Sequence, residues 1–319
     1  MWSKLRCNPS LRCYYEPLHE QLAALDRATV DGPADAAMVR MLRHPPQEKS
    51  YFAEYLDLVA SGRLRYSRDL AYARYLLRPA QTDETLRAYL DGLIGDAAAA
   101  GRRPVLCFCR SQMRSAWMRR VFGGIHIAQV RNPFDQWASF QVNSYFIRQM
   151  LTIALALRAE HPLAFIHLDR FEQQARALAR QDTTPGGERG NAPTIDWRDA
   201  LGVFLVLWIA SALQAIDCSD GLLDVDRLAT DDGYRQESSR WLGTLGCTID
   251  FADCKTPSAG SSPGDAALLA AMATEAAAAI RSNASTLVVA DAATVAQRLM
   301  SLSASSRRVL EQALPAGRA

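Results

Sequence analysis

An α/β fold with a parallel sheet is what the sequence predicts, and three observations carry the prediction. Short, wholly apolar runs alternate with amphipathic stretches, the pattern of strands buried on both faces with helices packed over them. Two of these runs lead straight into helix starts: Pro104 to Cys109 before Arg110, and Ile125 to Val130 before Arg131. Composition is that of a globular protein, with 319 residues, 49% hydrophobic and 22% charged, which excludes disordered and fibrous classes and supplies a sizeable core. The 36 basic and 34 acidic side chains leave a net charge of +2, which argues against a strongly basic nucleic-acid binder but is compatible with a local anion site.

In chain order, residues 2–7 read as the tail of a helix and Cys13-Tyr14-Tyr15 as a short strand. Pro17 stands where a helix begins, and Leu18 to Ala28 continues it. Residues 34–44, 49–60, 67–77 and 83–99 read as amphipathic helices punctuated by Pro45-Pro46, Gly62 and Pro79. Together they make a helical insertion over about 30–100. Pro104 to Cys109 is a strand, followed by a helix over 111–122 that Gly123-Gly124 ends. Ile125 to Val130 is the next strand, and Pro133 opens a long helix reaching Glu160. Leu163 to Leu168 reads as a strand, with a helix from Arg170, a loop over 181–195 and an apolar helix over 196–217. Gly221 to Val225 is a last strand and 232–245 a helix. A Ser/Gly/Pro linker over 257–264 sets residues 1–256, the α/β domain, apart from an Ala-rich helical tail that completes 257–319. No internal repeat is visible.

Seven cysteines (Cys7, Cys13, Cys107, Cys109, Cys218, Cys247 and Cys254) are an odd number in a long chain, which does not suit a disulfide scaffold. Met1-Trp2-Ser3-Lys4 is not followed by the apolar run of a secretory leader, so reduced thiols in the cytoplasm are the expectation. Leu201 to Ile216 is apolar, but it is shorter than the ~20 residues a membrane span needs and is flanked by Asp199 and Asp217. It reads as a buried core helix rather than a transmembrane segment. Arg far outnumbers Lys, which occurs only as Lys4, Lys49 and Lys255, and Ala is abundant, as in a GC-rich bacterial coding sequence.

The sharpest chemical signal is Val130-Arg131-Asn132-Pro133-Phe134-Asp135-Gln136-Trp137-Ala138-Ser139. Arg131 stands at the carboxyl end of a strand, where open α/β sheets bind ligands. Ser139 follows eight residues later, about two turns down the helix. A guanidinium fork and a hydroxyl converging there suit a phosphate monoester. The alternative is an Arg that caps a neighbour and a Ser that packs.

This segment resembles the 3′-phosphate motif of sulfotransferases that use 3′-phosphoadenosine-5′-phosphosulfate (PAPS), in which a strand-end Arg is followed by a Ser eight residues on. Trp2 to Glu20 (W-S-K-L-R-C-N-P-S-L-R-C-Y-Y-E-P-L-H-E) resembles the segment after the phosphate loop in tyrosylprotein and bacterial carbohydrate sulfotransferases. In the tyrosylprotein branch a Glu there is the general base, and Glu16 matches it. His19 is the rival base, Glu20 reads as a helix-face charge, and Glu16 itself has a plainer reading as a surface Glu before a helix. Pro104 to Met118 resembles the strand whose terminal cation contacts the transferring sulfonate, which puts Arg110 in that role, with Arg114 one turn on. The alternative for Arg110 is an exposed Arg at a helix start. Cys107 and Cys109 form too sparse a set for zinc and read as buried apolar residues.

Leu222 to Gly246 carries a weaker likeness, with Val225 and Asp226 where the family commonly has a nucleotide-touching Tyr. Lys255 follows in a loop, either reaching a phosphate or solvated. The family's 5′-phosphosulfate loop is expected just before Trp2 and is not in this sequence, and Arg110 to Ser115 imitates it poorly.

The resemblance implies a P-loop nucleotide-binding type of parallel sheet, with PAPS as co-substrate and no metal. It implies in-line transfer of a sulfonate to an acceptor hydroxyl on a carbohydrate, a lipid or a small molecule. The oligomeric state stays open. The alternative is a non-catalytic, N-terminally truncated relative that binds nucleotide weakly or serves as a partner. A P-loop kinase ranks lower, because no Walker-type glycine loop is present.

Overall fold

Among the described residues, four short strands form two parallel pairs in a mixed, mostly helical α/β chain. The computed structural model describes residues 1–32, 49–141, 144–160, 168–179, 195–254, 263–283 and 291–314. The chain divides into two compact units: Met1–Ala73, Ala80–Ser111 and Gly233–Asp253 make the first, and Arg74–Pro79, Gln112–Asp232 and Cys254–Ala319 the second.

In the first unit β1 (Leu11–Tyr15) pairs in parallel with β2 (Arg103–Cys107), in a register running from Leu11↔Arg103 to Tyr15↔Cys107. A parallel pair needs a crossover, and the last part of this one is the helix Glu84–Ala99. Asp83 caps that helix by accepting from the Leu86 N–H at 3.0 Å, and its Leu86, Tyr89, Leu90 and Leu93 are buried. Every residue of β1 is buried, so its polar members need partners. The Tyr14 hydroxyl donates to Asp96 Oδ2 at 2.7 Å and lies 3.0 Å from Leu93 O, and Arg12 lies 2.9 Å from the same carboxylate. Tyr89 donates to Pro17 O at 2.6 Å and Tyr55 to Tyr15 O at 3.1 Å, tying the strand end to the helices around it.

In the second unit β3 (Ile127–Val130) pairs in parallel with β4 (Gly221–Asp224), from Ile127↔Gly221 to Val130↔Asp224. The helix Ser115–Phe122 leads toward β3 and is stopped by Gly123 (φ 62°) and Gly124 (φ 79°), left-handed conformations that favour glycine. The unit is organised around the helix Trp197–Cys218, capped by Asp196. Leu201, Val203, Phe204, Leu205, Val206, Ile209, Leu213 and Ile216 are all buried along it. Each such side chain is worth ~1.5–3 kcal/mol of burial, so this helix contributes heavily to the unit's stability. It is long and apolar enough to cross a membrane by composition, but it is mostly covered by the chain itself, including helices Pro263–Ser282, Ala292–Leu299 and Ala304–Ala313. The Ala-rich tail helices therefore build the core of the second unit.

Several expectations change. Leu18 to Ala28 is a 3₁₀ turn (Glu20–Ala24) and a short helix (Arg27–Asp31), because His19 and Asp26 each cap a new start. Residues 49–60 hold a 3₁₀ turn and the short helix Leu56–Ala60. Residues 67–77 hold only the 3₁₀ turn Arg68–Ala71: the chain passes from one unit to the other at Arg74, whose φ of 51° is incompatible with a continuing helix. The helix predicted from Pro133 to Glu160 is two helices, Pro133–Phe140 and Ser144–Glu160. A single sheet was expected, and the described strands form two separate pairs. Helix 34–44, strand residues 163–167, loop residues 181–194 and Lys255 lie outside the described residues.

Candidate functional site

Two clusters hold the residues that the sequence singles out, one in each unit. In the first unit Glu16 directly follows β1, and its N–H extends the ladder by donating to Cys107 O at 3.0 Å. Its φ is 37°, a left-handed conformation for a residue with a Cβ. Such strain costs ~1–3 kcal/mol and persists only where the surroundings fix it. Here those surroundings include the turn closed by the His19 N–H on Glu16 O at 2.8 Å.

Arg110 lies three residues beyond β2 and reaches back to this turn. Its Nη2 donates to Glu16 Oε2 at 2.9 Å and its Nη1 to Glu20 Oε2 at 2.7 Å. The three side chains are 11%, 11% and 3% exposed, so this is a buried charge cluster rather than a surface ion pair. The structure thus corrects two readings: Arg110 is not an exposed helix-start Arg, and Glu20 is not a helix-face charge. Glu20 turns inward because residues 20–24 are a 3₁₀ turn, whose side-chain directions differ from those of an α-helix.

Burial raises the Glu16 carboxyl, but the charge of Arg110, then that of His19, and hydrogen bonds from Arg110 and the Cys109 thiol bring it below the usual carboxylate range. Glu16 is therefore an ionised acceptor at neutral pH. Burial pushes His19 down, aided by Arg110 and opposed by Glu16 and Glu20. Its Nδ1 accepts from the Gln21 N–H at 3.2 Å, so the neutral ring carries its proton on Nε2. Cys109 is exposed, against the reading of both strand cysteines as buried, and Cys107 is half-buried. The crowding around Cys109 and the charge of Glu16 raise its thiol, which keeps it protonated and a donor.

In the second unit Arg131 follows β3, and Asn132 caps the helix Pro133–Phe140 by accepting from the Phe134 N–H at 2.9 Å. Arg131 Nη1 donates to Ser139 Oγ at 3.0 Å, and Ser139 Oγ donates to Asp135 O at 3.2 Å. The two residues that the spacing picked out thus meet. Arg131 Nε is buried without a hydrogen-bond partner among the described residues. Beside them the Asn132 N–H donates to Asp226 Oδ2 at 2.6 Å. Burial raises the Asp226 carboxyl, as do the charges of Asp224 and Asp135, against the pull of the Asn132 N–H and Arg131. Asp224 is fully buried: its Oδ1 accepts from the Asp226 and Arg227 N–H groups, each at 2.9 Å, and its Oδ2 from the Ser303 N–H at 2.7 Å.

Arg114, in the second unit, is buried, donates from Nε to Arg74 O at 3.0 Å and covers the Tyr75 ring. It is packed into its own unit, committed to the Arg74 carbonyl and the Tyr75 ring. Among the described residues no group of His, Cys, Asp and Glu has the arrangement of a metal site.

Sequence reasoning missed Glu20, Asp224 and Asp226. Glu20 left no separate signal. The Asp pair did, since Leu-Leu-Asp before Val-Asp-Arg is a strand running into an Asp helix cap.

Comparisons with protein-family models, with curated proteins and with solved structures find no match to this chain.

Proposed function

We propose that the protein transfers a sulfonate group from PAPS to an acceptor hydroxyl on a carbohydrate, a lipid or a small molecule. The observation that carries the reading is the 3.0 Å contact between Arg131 and Ser139 at a strand–helix junction, with Arg131 Nε left without a partner among the described residues. An Arg fork with one N–H still to satisfy, beside a hydroxyl, is suited to a phosphate monoester with several acceptor oxygens. In this reading Arg131 and Ser139 take the donor's 3′-phosphate.

The transfer chemistry is assigned to residues of the first unit. The acceptor oxygen attacks sulfur, and the bond from sulfur to the donor's bridging oxygen breaks. The electron pair leaves with 3′-phosphoadenosine-5′-phosphate (PAP), and the hydroxyl proton goes to Glu16, which is ionised and fixed in place. Arg110 supplies the cation that steadies the sulfonate, and to do so it must loosen from Glu16. The seven unbridged thiols support a reducing, cytoplasmic setting.

Calorimetry with PAP tests the reading. Arg131→Ala is expected to weaken binding by ~2–3 kcal/mol, the loss of a charge-assisted phosphate contact. That is roughly thirty- to a hundred-fold in Kd. Adenosine-5′-phosphosulfate, which lacks the 3′-phosphate, should compete far less well than PAPS. Equal competition by the two nucleotides, or an unchanged PAP affinity in the variant, refutes the assignment.

A further inference from the structure

We propose that Glu20 is a positioning residue for the transfer step: by sharing Arg110 with Glu16, it keeps Glu16 basic enough to take the acceptor's proton. The inference rests on the reading of Glu16 as general base. Its geometric basis is the divided fork, with one guanidinium nitrogen on each carboxylate at 2.9 and 2.7 Å. One guanidinium faces two carboxylates, so neither carboxylate has its charge to itself. A guanidinium given wholly to Glu16 would hold it as a tight, weakly basic ion pair. Divided, it still fixes the carboxylate in place but stabilises its charge less.

The other groups facing Glu16 do not supply this balance. The Cys109 thiol and the Tyr15 hydroxyl both act as donors to it, and such donors lower its basicity. His19 has Nδ1 committed to the Gln21 N–H, 3.6 Å from Glu20 Oε2, and its influence on Glu16 is in the lowering direction. Glu20 is the second carboxylate that draws on the charge of Arg110. It is also the more deeply buried of the two carboxylates, so solvent screens its charge little.

The reaction also gives the arrangement a use. When Arg110 turns to a sulfonate it leaves Glu16, which becomes a stronger base as the O–S bond forms. Glu20 then remains as the anchor that keeps Arg110 from following its new partner out of the site.

The test is Glu20→Gln, whose amide oxygen still accepts from Arg110 but carries no charge. In protein labelled with ¹³C at the Glu carboxyls, the Glu16 signal is assigned by its loss in Glu16→Gln. The Glu16 midpoint is expected to fall by about one pH unit in Glu20→Gln, the effect of removing a close like charge. The acid limb of PAP release from PAPS, measured with water as acceptor, should move the same way. kcat should fall several-fold at unchanged KM, and Glu20→Asp should restore the profile. A wild-type measurement stands beside the variant in case Glu20→Gln does not fold: the Glu16 curve should show a second step where Glu20 titrates.

An unmoved Glu16 midpoint in folded Glu20→Gln, or a single-step wild-type curve, overturns the role of Glu20. The base reading then stands or falls separately. Loss of PAP release in Glu16→Gln keeps it, and full release in that variant overturns it whatever the midpoints show.

Discussion

Arg110→Met should leave two buried carboxylates of the first unit without their cation, and destabilise that unit in a pH-dependent way. Methionine fills much of the volume of the arginine stem but offers no donor. Glu16 and Glu20 then lose bonds of 2.9 and 2.7 Å and keep their burial. The choice of magnitude turns on exposure. A solvated pair is worth ~0–1 kcal/mol, whereas removing one partner of a buried pair costs ~3–5 kcal/mol because a charge is left without compensation. With all three side chains 11% exposed or less, the second figure applies at about pH 8. The sign of the pH dependence follows from the direction of the Glu16 shift. In the wild type its folded value lies below the unfolded one, so its stabilisation is present above the unfolded value and is lost as pH falls through the folded one. In the variant the largest influence opposing burial is gone, so the folded value rises and the stabilisation present at high pH is lost. The gap between wild type and variant should therefore be widest at about pH 8 and shrink toward pH 4.5. Urea unfolding at the two pH values, with hydrogen exchange to place the loss in the first unit, measures it. A gap below ~1 kcal/mol, or one that does not change with pH, would refute the buried-cluster account.

Two further outcomes concern the second unit. Asp224→Ala removes a helix cap and the acceptor for the Ser303 N–H, so it should cost about 2–3 kcal/mol and lower Tm. A change below half that value contradicts the cap assignment. Asp226→Asn relieves a buried carboxyl whose folded value is raised, a penalty present at pH 7 and absent below the ordinary unfolded value of ~3.9. Thermal melts should show the variant at least as stable as wild type at pH 7, with any advantage gone near pH 3.5, and a variant less stable only at pH 7 would contradict this.

How much of this was legible in the sequence depends on how local each signal is. The apolar runs announced all four described strands, and the eight-residue step from Arg131 to Ser139 announced a contact that forms. Both are local, one a run and the other two turns of a single helix with Pro133 at its start. The 3₁₀ turn at Glu20–Ala24 could not be read, because Leu18 to Ala28 has helical spacing and only the caps at His19 and Asp26 divide it. That single local difference turns Glu20 from solvent to Arg110. Arg110 itself could be placed at a strand end but not against two carboxylates about 90 residues away in sequence, since that depends on the pairing of β1 with β2. The parallel register sets Tyr15 beside Cys107, and so brings the residues just past each strand to one edge of the pair. Glu16, Glu20 and Arg110 therefore meet because two strand ends are aligned. A one-residue slip in that register would separate the acids from the cation without changing any residue, which is why the chemistry of this cluster follows from the sheet rather than from a motif.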